Sequence, residues 1–120
     1  MTLRTIRLEL ARGTEFPNGS NRHGYEFRAP LDAAGHFDAE SWRKHRTDCT
    51  VRRFWGDQAE EHGQLVHTRG RRWVFSYVAN EASDDEPIFR FDGHVFKPGE
   101  YVSITEHDGV QRPFRVVGVH

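Results

Sequence analysis

Hydrophobic and polar positions alternate with a period of two over much of this chain, interrupted by turn residues, which is the pattern of strands with one face buried. Ile6, Leu8 and Leu10 alternate with Arg7 and Glu9, predicting a strand over residues 2–11. The polar stretch 13–23, with Pro17 and Asn18-Gly19, predicts a loop. Tyr25 to Ala29 then reads as a second strand stopped by Pro30, which has no N–H to give a ladder. Here the period changes. Asp38 stands where it would cap a helix over 39–46, Glu40 falls in the first turn and the bases come late, the order a helix dipole favours. Phe37 before the cap and Trp42 after it form a predicted hydrophobic staple. Trp42, His45 and Cys49, at i, i+3 and i+7, share one narrow face if the helix runs about three turns.

Beyond Thr50 the period of two returns. Val51 to Trp55 predicts a strand, 56–63 a polar loop, and Gln64 to Thr68 a strand that turns through Arg69-Gly70 into Arg71 to Ala79. Trp73, Phe75 and Tyr77 lie on one face of that second arm. The acidic segment 80–87 reads as a solvated connection. Phe89-Arg90-Phe91 and His94-Val95-Phe96 flank Asp92-Gly93, a dipeptide suited to a type I′ hairpin turn. Lys97-Pro98-Gly99-Glu100 fits a type II turn. Tyr101 to Glu106 then pairs through Asp108-Gly109 with Gln111 to Val119. The predicted fold is mainly β: a small antiparallel, partly closed barrel or meander of about seven strands, with one short helix inserted after the second strand. An open sheet packed on that helix is the other arrangement.

The chain has 120 residues, 36% hydrophobic and 29% charged, an amount of apolar material that suits one domain spanning 1–120. No stretch approaches the roughly 20 apolar residues that span a bilayer, and the first ten residues alternate instead of forming an apolar block. The single cysteine, Cys49, can form no intrachain disulfide. A soluble cytoplasmic domain is therefore expected, with no membrane partner. Seventeen basic side chains meet 18 acidic ones, a balance that argues against nucleic acid as the partner.

Eight histidines are present, yet none is spaced HxH, HxxxH or HExxH, so no metal site is expected. His45 and Cys49, four apart, are the nearest approach, with His36, His94 or His107 as further ligands. The same two residues could make a thiolate pair, but neither an oxyanion element nor an orienting acid can be placed beside them, and no catalytic residue is assigned. Arginine and aromatic residues interleave four times, at 52–55, 71–75, 89–91 and 112–115. One reading is a stacking platform for single-stranded nucleic acid. Strand geometry gives another, in which the aromatics fill the core while Arg72, Arg90 and Arg115 face water. Arg71 shares a face with Trp73, Phe75 and Tyr77, and Arg53 with Trp55. A pocket built from Trp73, Tyr77 and Tyr101, with Arg71 or Arg112 fixing a small anionic ligand, is the candidate site, and a noncatalytic ligand-binding or protein-interaction module the expected function.

Two resemblances add to this reading. The run Phe96-Lys97-Pro98-Gly99-Glu100-Tyr101-Val102-Ser103-Ile104, followed by Arg112-Pro113-Phe114-Arg115, resembles the flavin-binding barrel of the ferredoxin reductase family, in which a Pro-Gly-Gln-Tyr-Val strand precedes an Arg-Pro-Tyr-Ser strand. That resemblance implies a flavin cofactor, with Arg112 on the diphosphate and Phe114 on the ring. The chain departs from the pattern at Arg115, where a hydroxyl residue is expected, and at Phe114, which lacks the tyrosine hydroxyl. The phrases Gly35-His36-Phe37-Asp38-Ala39-Glu40-Ser41-Trp42 and Phe96 to Ser103 are also similar to those of small bacterial proteins with no assigned activity.

Overall fold

The computed structural model describes residues 3–68, 72–77, 86–89, 95–106 and 108–120, with only the backbone of 86–89 considered. Eight strands are present among them: β1 (Leu3–Leu10), β2 (Ser20–Pro30), β3 (Thr50–Trp55), β4 (Glu61–His67), β5 (Trp73–Ser76), β6 (Glu86–Phe89), β7 (Tyr101–Thr105) and β8 (Gln111–Val119). Helix α1 (Ala39–Lys44) and a 3-10 turn (Arg46–Asp48) lie between β2 and β3. Each strand runs antiparallel to the next, and β8 pairs back onto β1, with Ile6 opposite Val119 and Leu10 opposite Phe114, so the sheet closes into a barrel. The mainly β fold with a helix after the second strand agrees with the alternation in the sequence.

Period-two alternation explains which side chains fill the barrel. Ile6, Leu8 and Leu10 of β1, Tyr25, Phe27 and Ala29 of β2, Val102 and Ile104 of β7, and Phe114 and Val116 of β8 all point inward and are buried. Phe75 lies among them, its ring 5.0 Å from both Tyr25 and Phe27. Eight strands enclose a lumen about wide enough for side chains to fill. Close strand approach also demands small residues: a Cβ added at Gly24 would lie 2.0 Å from the Leu8 carbonyl oxygen.

One end of the barrel is stoppered by aromatic rings. Trp42 of α1 donates its indole N–H to the Leu65 carbonyl at 2.8 Å and meets Trp73 edge-on at 5.7 Å. Phe37 stacks on Phe96 at 4.4 Å and tilts against Trp73 at 4.7 Å. The cap is as expected, since Asp38 accepts from the Ser41 N–H at 3.0 Å. Replacing Asp38 with alanine should therefore cost about 1 kcal/mol, read as a lower urea midpoint with an unchanged slope.

Several boundaries differ from the sequence expectation. The helix is six residues long and ends at His45, whose φ of −130° leaves the helical region, so it does not reach Cys49. The expected face of Trp42, His45 and Cys49 is thus not formed; Cys49 follows the 3-10 turn and is buried. Strand β4 begins at Glu61, three residues into what reads as loop, because 61–63 extend the ladder to Arg53, Arg52 and Val51. Glu86 and Pro87 pair with Phe75 and Val74 instead of joining a solvated connection. Val95 and Phe96 belong to no strand: the Phe96 N–H bonds to the Gly35 carbonyl at 2.9 Å and its ring enters the core. The Asp92-Gly93 turn, Arg71 and most of the acidic connection lie outside the described residues. No helix of the described residues is long and apolar enough to cross a membrane.

Candidate functional site

The end of the barrel opposite α1 carries polar side chains at inward positions. On four strands the alternation that places apolar residues inside ends, at this rim, on a polar residue: Tyr25 precedes Phe27 and Ala29, Arg53 follows Val51, Glu106 follows Val102 and Ile104, and Arg112 precedes Phe114 and Val116. Closure brings the four together. Glu106 is 2% exposed, and its Oε2 accepts the Tyr25 hydroxyl at 2.6 Å and Arg53 Nε at 2.9 Å. Arg112 Nη1 donates to Oε1 of Glu106 at 2.7 Å. Around this centre Glu61 approaches Arg53 Nη1 at 3.4 Å, and Glu15 and Asp108 reach Arg112 at 2.8 and 3.1 Å. Trp55 lies beneath both guanidinium groups, 4.2 Å from Arg53 and 5.5 Å from Arg112.

Both arginines of this cluster are held as cations. Burial works against the Arg53 cation, but Tyr25 and Glu106 outweigh it and hold its pKa above the ordinary value. The hydrogen bond that Arg112 donates to Glu15 does most to raise the pKa of Arg112, against burial and with help from Glu106 and Asp108. Glu15 in turn is lowered by the same hydrogen bond. His23, whose Nδ1 lies 2.6 Å from the Ser20 hydroxyl, is lowered first by burial and then by Arg22 and Arg53. Both arginines therefore spend their donors on the protein's own carboxylates.

A second feature lies on the outer surface. Tyr101, Arg115 and Glu9 stand side by side across β7, β8 and β1, since Arg115 is the ladder partner of both. The register shift between Glu9 and Leu10 bends the end of β1. Together with Arg12 and the Asn18–Asn21 segment these residues line an open groove of about 790 Å³. Tyr101 is 58% exposed. Glu9 is held by Arg7 at 2.9 Å, whereas Arg12 and Arg115 make no ion pair among the described residues and line the groove as two cations.

The residues singled out from sequence are spread over these regions. Trp73 is part of the aromatic stopper and Tyr77 is half-buried against the core. Phe114 is fully buried, edge-on to Tyr25 at 5.2 Å, so a ring stacking on it would have to enter the core. Arg112 is at the opposite rim from Trp73, Tyr101 is on the outside, and Arg71 lies outside the described residues. The described members thus do not border one pocket. Sequence reasoning missed Tyr25, Glu106, Glu15 and Arg12; the signal that could have found Glu106 is parity, since it stands two residues beyond the inward Val102 and Ile104.

Among the described residues no three His, Cys, Asp or Glu side chains come together to hold a metal ion. Burial, followed by Asp48, pushes the Cys49 thiol up from 9.0 to about 11. The folded chain then keeps a proton that the unfolded chain releases near pH 9, so stability should be level below that pH and fall as pH rises toward 11. Urea unfolding at about pH 8 and about pH 10.5 checks the sign, and iodoacetamide should label Cys49 far more slowly in the folded protein than in urea.

No protein-family model, curated protein or solved structure matches the chain.

Proposed function

We propose that this domain is a noncatalytic interaction module that captures an acidic segment of a protein partner in the outer groove of β7, β8 and β1. The observation that carries this reading is the exposed Tyr101 beside Arg115, with Arg12 nearby and neither arginine ion-paired among the described residues. Tyrosine and arginine supply a disproportionate share of binding energy at interfaces, because each combines a large contact area with directed hydrogen bonding. A packed lumen, stoppered by Phe37, Trp42 and Trp73 at one end and by ion pairs at the other, favours the outer surface as the place of binding. A single buried thiol fits a cytoplasmic setting for this module.

A fluorescein-labelled peptide of about ten residues rich in Glu and Asp serves as the probe. Anisotropy should report binding at low salt that weakens as the Debye length falls below about 10 Å. Arg115→Glu should weaken it at least about tenfold, since it both removes an attraction and adds a repulsion, and Tyr101→Ala should weaken it by a similar factor. Absence of binding at low salt, or binding indifferent to Arg115→Glu, would overturn the proposal.

A further inference from the structure

We propose that the polar rim of the barrel contains a separate binding site for a small aliphatic monocarboxylate, and that Glu15 occupies its anion position when no ligand is bound. Arg112 has two edges. Its Nη1 is held by Glu106 at 2.7 Å and by Asp108 at 3.1 and 3.2 Å, while Nε and Nη2 together face Glu15, at 2.8 and 3.3 Å. The Nε and Nη2 edge is the forked donor pair that fits a planar carboxylate.

The three carboxylates on Arg112 are not equally hard to displace. Glu106 is buried inside the barrel and shared by two guanidinium groups, so displacing it is costly. Glu15 is 55% exposed, on a loop closed by its own short bonds, from the Gly13 and Gly19 N–H groups to the Phe16 carbonyl. An exposed ion pair shifts an equilibrium by no more than about fivefold. An external carboxylate therefore competes with Glu15 on easy terms.

What the site adds beyond charge is a recess with an apolar side. A pocket of about 100 Å³ adjoins Arg112; Leu10, Ala11, Phe16, Val110 and Pro113 form its apolar side, and Thr14 and Gln111 line it as well. Val110, 45% exposed, is one of only two large hydrophobic residues left exposed among the described residues. At about 30 Å³ for each water displaced, the recess matches a tail of two to four carbons. Glu106 and Asp108 remain beside the bound anion, so a second negative charge on the ligand is repelled. That selects a monocarboxylate with a short tail over inorganic phosphate. Neither Tyr101 nor Arg115 lines this recess, so the site stands or falls independently of the outer groove.

Acetate, propionate, butyrate and inorganic phosphate, titrated at constant ionic strength into labelled protein and followed by amide and Arg Nε shifts, test the proposal. Glu15→Gln should bind butyrate tighter than the wild type, by about two- to fivefold, with shifts at Gly13, Phe16, Val110 and Arg112. Affinity should rise from acetate to butyrate, and phosphate should be weaker than any of them. Val110→Asp on an exposed turn leaves the fold intact and, combined with Glu15→Gln, should weaken butyrate binding at least about tenfold. Equal binding to wild type and Glu15→Gln, phosphate binding as tight as butyrate, or no binding to either protein would overturn it.

Discussion

Replacing Glu106 with alanine is expected to remove about 3–5 kcal/mol of stability, a large fraction of the roughly 5–15 kcal/mol that holds a domain of this size folded. The carboxylate is buried between Arg53 and Arg112 and accepts the Tyr25 hydroxyl as well. Its removal takes the central anion from the Arg53 cation in a low-dielectric site, where Glu61 at 3.4 Å is a longer and more exposed partner. Arg112 loses less, because Glu15 and Asp108 remain on it. The cause is separable from simple loss of packing. Changing Arg53→Met with Glu106→Leu and Tyr25→Phe removes the inner charges together with the hydroxyl that Glu106 accepts, and should recover part of the stability, since a buried ion pair and a well-packed apolar pair are often similar in free energy, while Arg112 keeps Glu15 and Asp108. Thermal unfolding of the single and triple variants measures this, at roughly 4 °C for each kcal/mol.

Phe75→Ala is expected to cost a similar amount, about 3–5 kcal/mol, for a different reason. Phe75 is fully buried at the centre of the lumen, against Tyr25 and Phe27. Strands on every side of a closed barrel are tied by hydrogen bonds, so they cannot collapse inward to fill the space. The cavity should stay dry and apolar and accept a small hydrocarbon such as benzene. Recovery of unfolding temperature on adding benzene to Phe75→Ala, with no effect on the wild type, would identify the lumen as packed in the native protein. A loss below about 1 kcal/mol would mean that the lumen is already loosely filled, contrary to the packing described.

Much of the barrel was legible as parity. The inward sets of β1, β2, β7 and β8 were each written as apolar residues two apart, and Asp38 marked the helix start. The parts that were not legible depend on contacts distant in sequence. The strand expected over 71–79 is found as β5, but Val74 is buried along with Trp73 and Phe75, so both of its faces are covered, which the alternation of Trp73, Phe75 and Tyr77 does not reveal. Pro87 and Glu86 look like loop residues, and become strand only because β5 and β7 need a partner between them. Phe96 has the composition of a strand residue but serves as a stopper on Phe37. The rim cluster was half legible: parity puts Glu106 in line with the inward Val102 and Ile104, but a charge at a strand end reads as solvated until closure sets Arg53 and Tyr25 opposite it. Tyr101 stands on the outer face instead of beside Trp73, and its neighbours in the groove, Arg115 and Arg12, emerge only from cross-strand register and the bend at the end of β1.

The central claim is that recognition takes place on the outer face of β7, β8 and β1 around a packed barrel. Titration of the labelled protein with the acidic peptide, followed residue by residue through its backbone amides, tests it most directly. Shifts concentrated at Arg12, Asn21, Tyr101 and Arg115, and lost in Arg115→Glu, are the predicted result. Shifts concentrated at Arg53, Trp55 and Phe75 inside the barrel, with Tyr101 and Arg115 unmoved, would contradict the account.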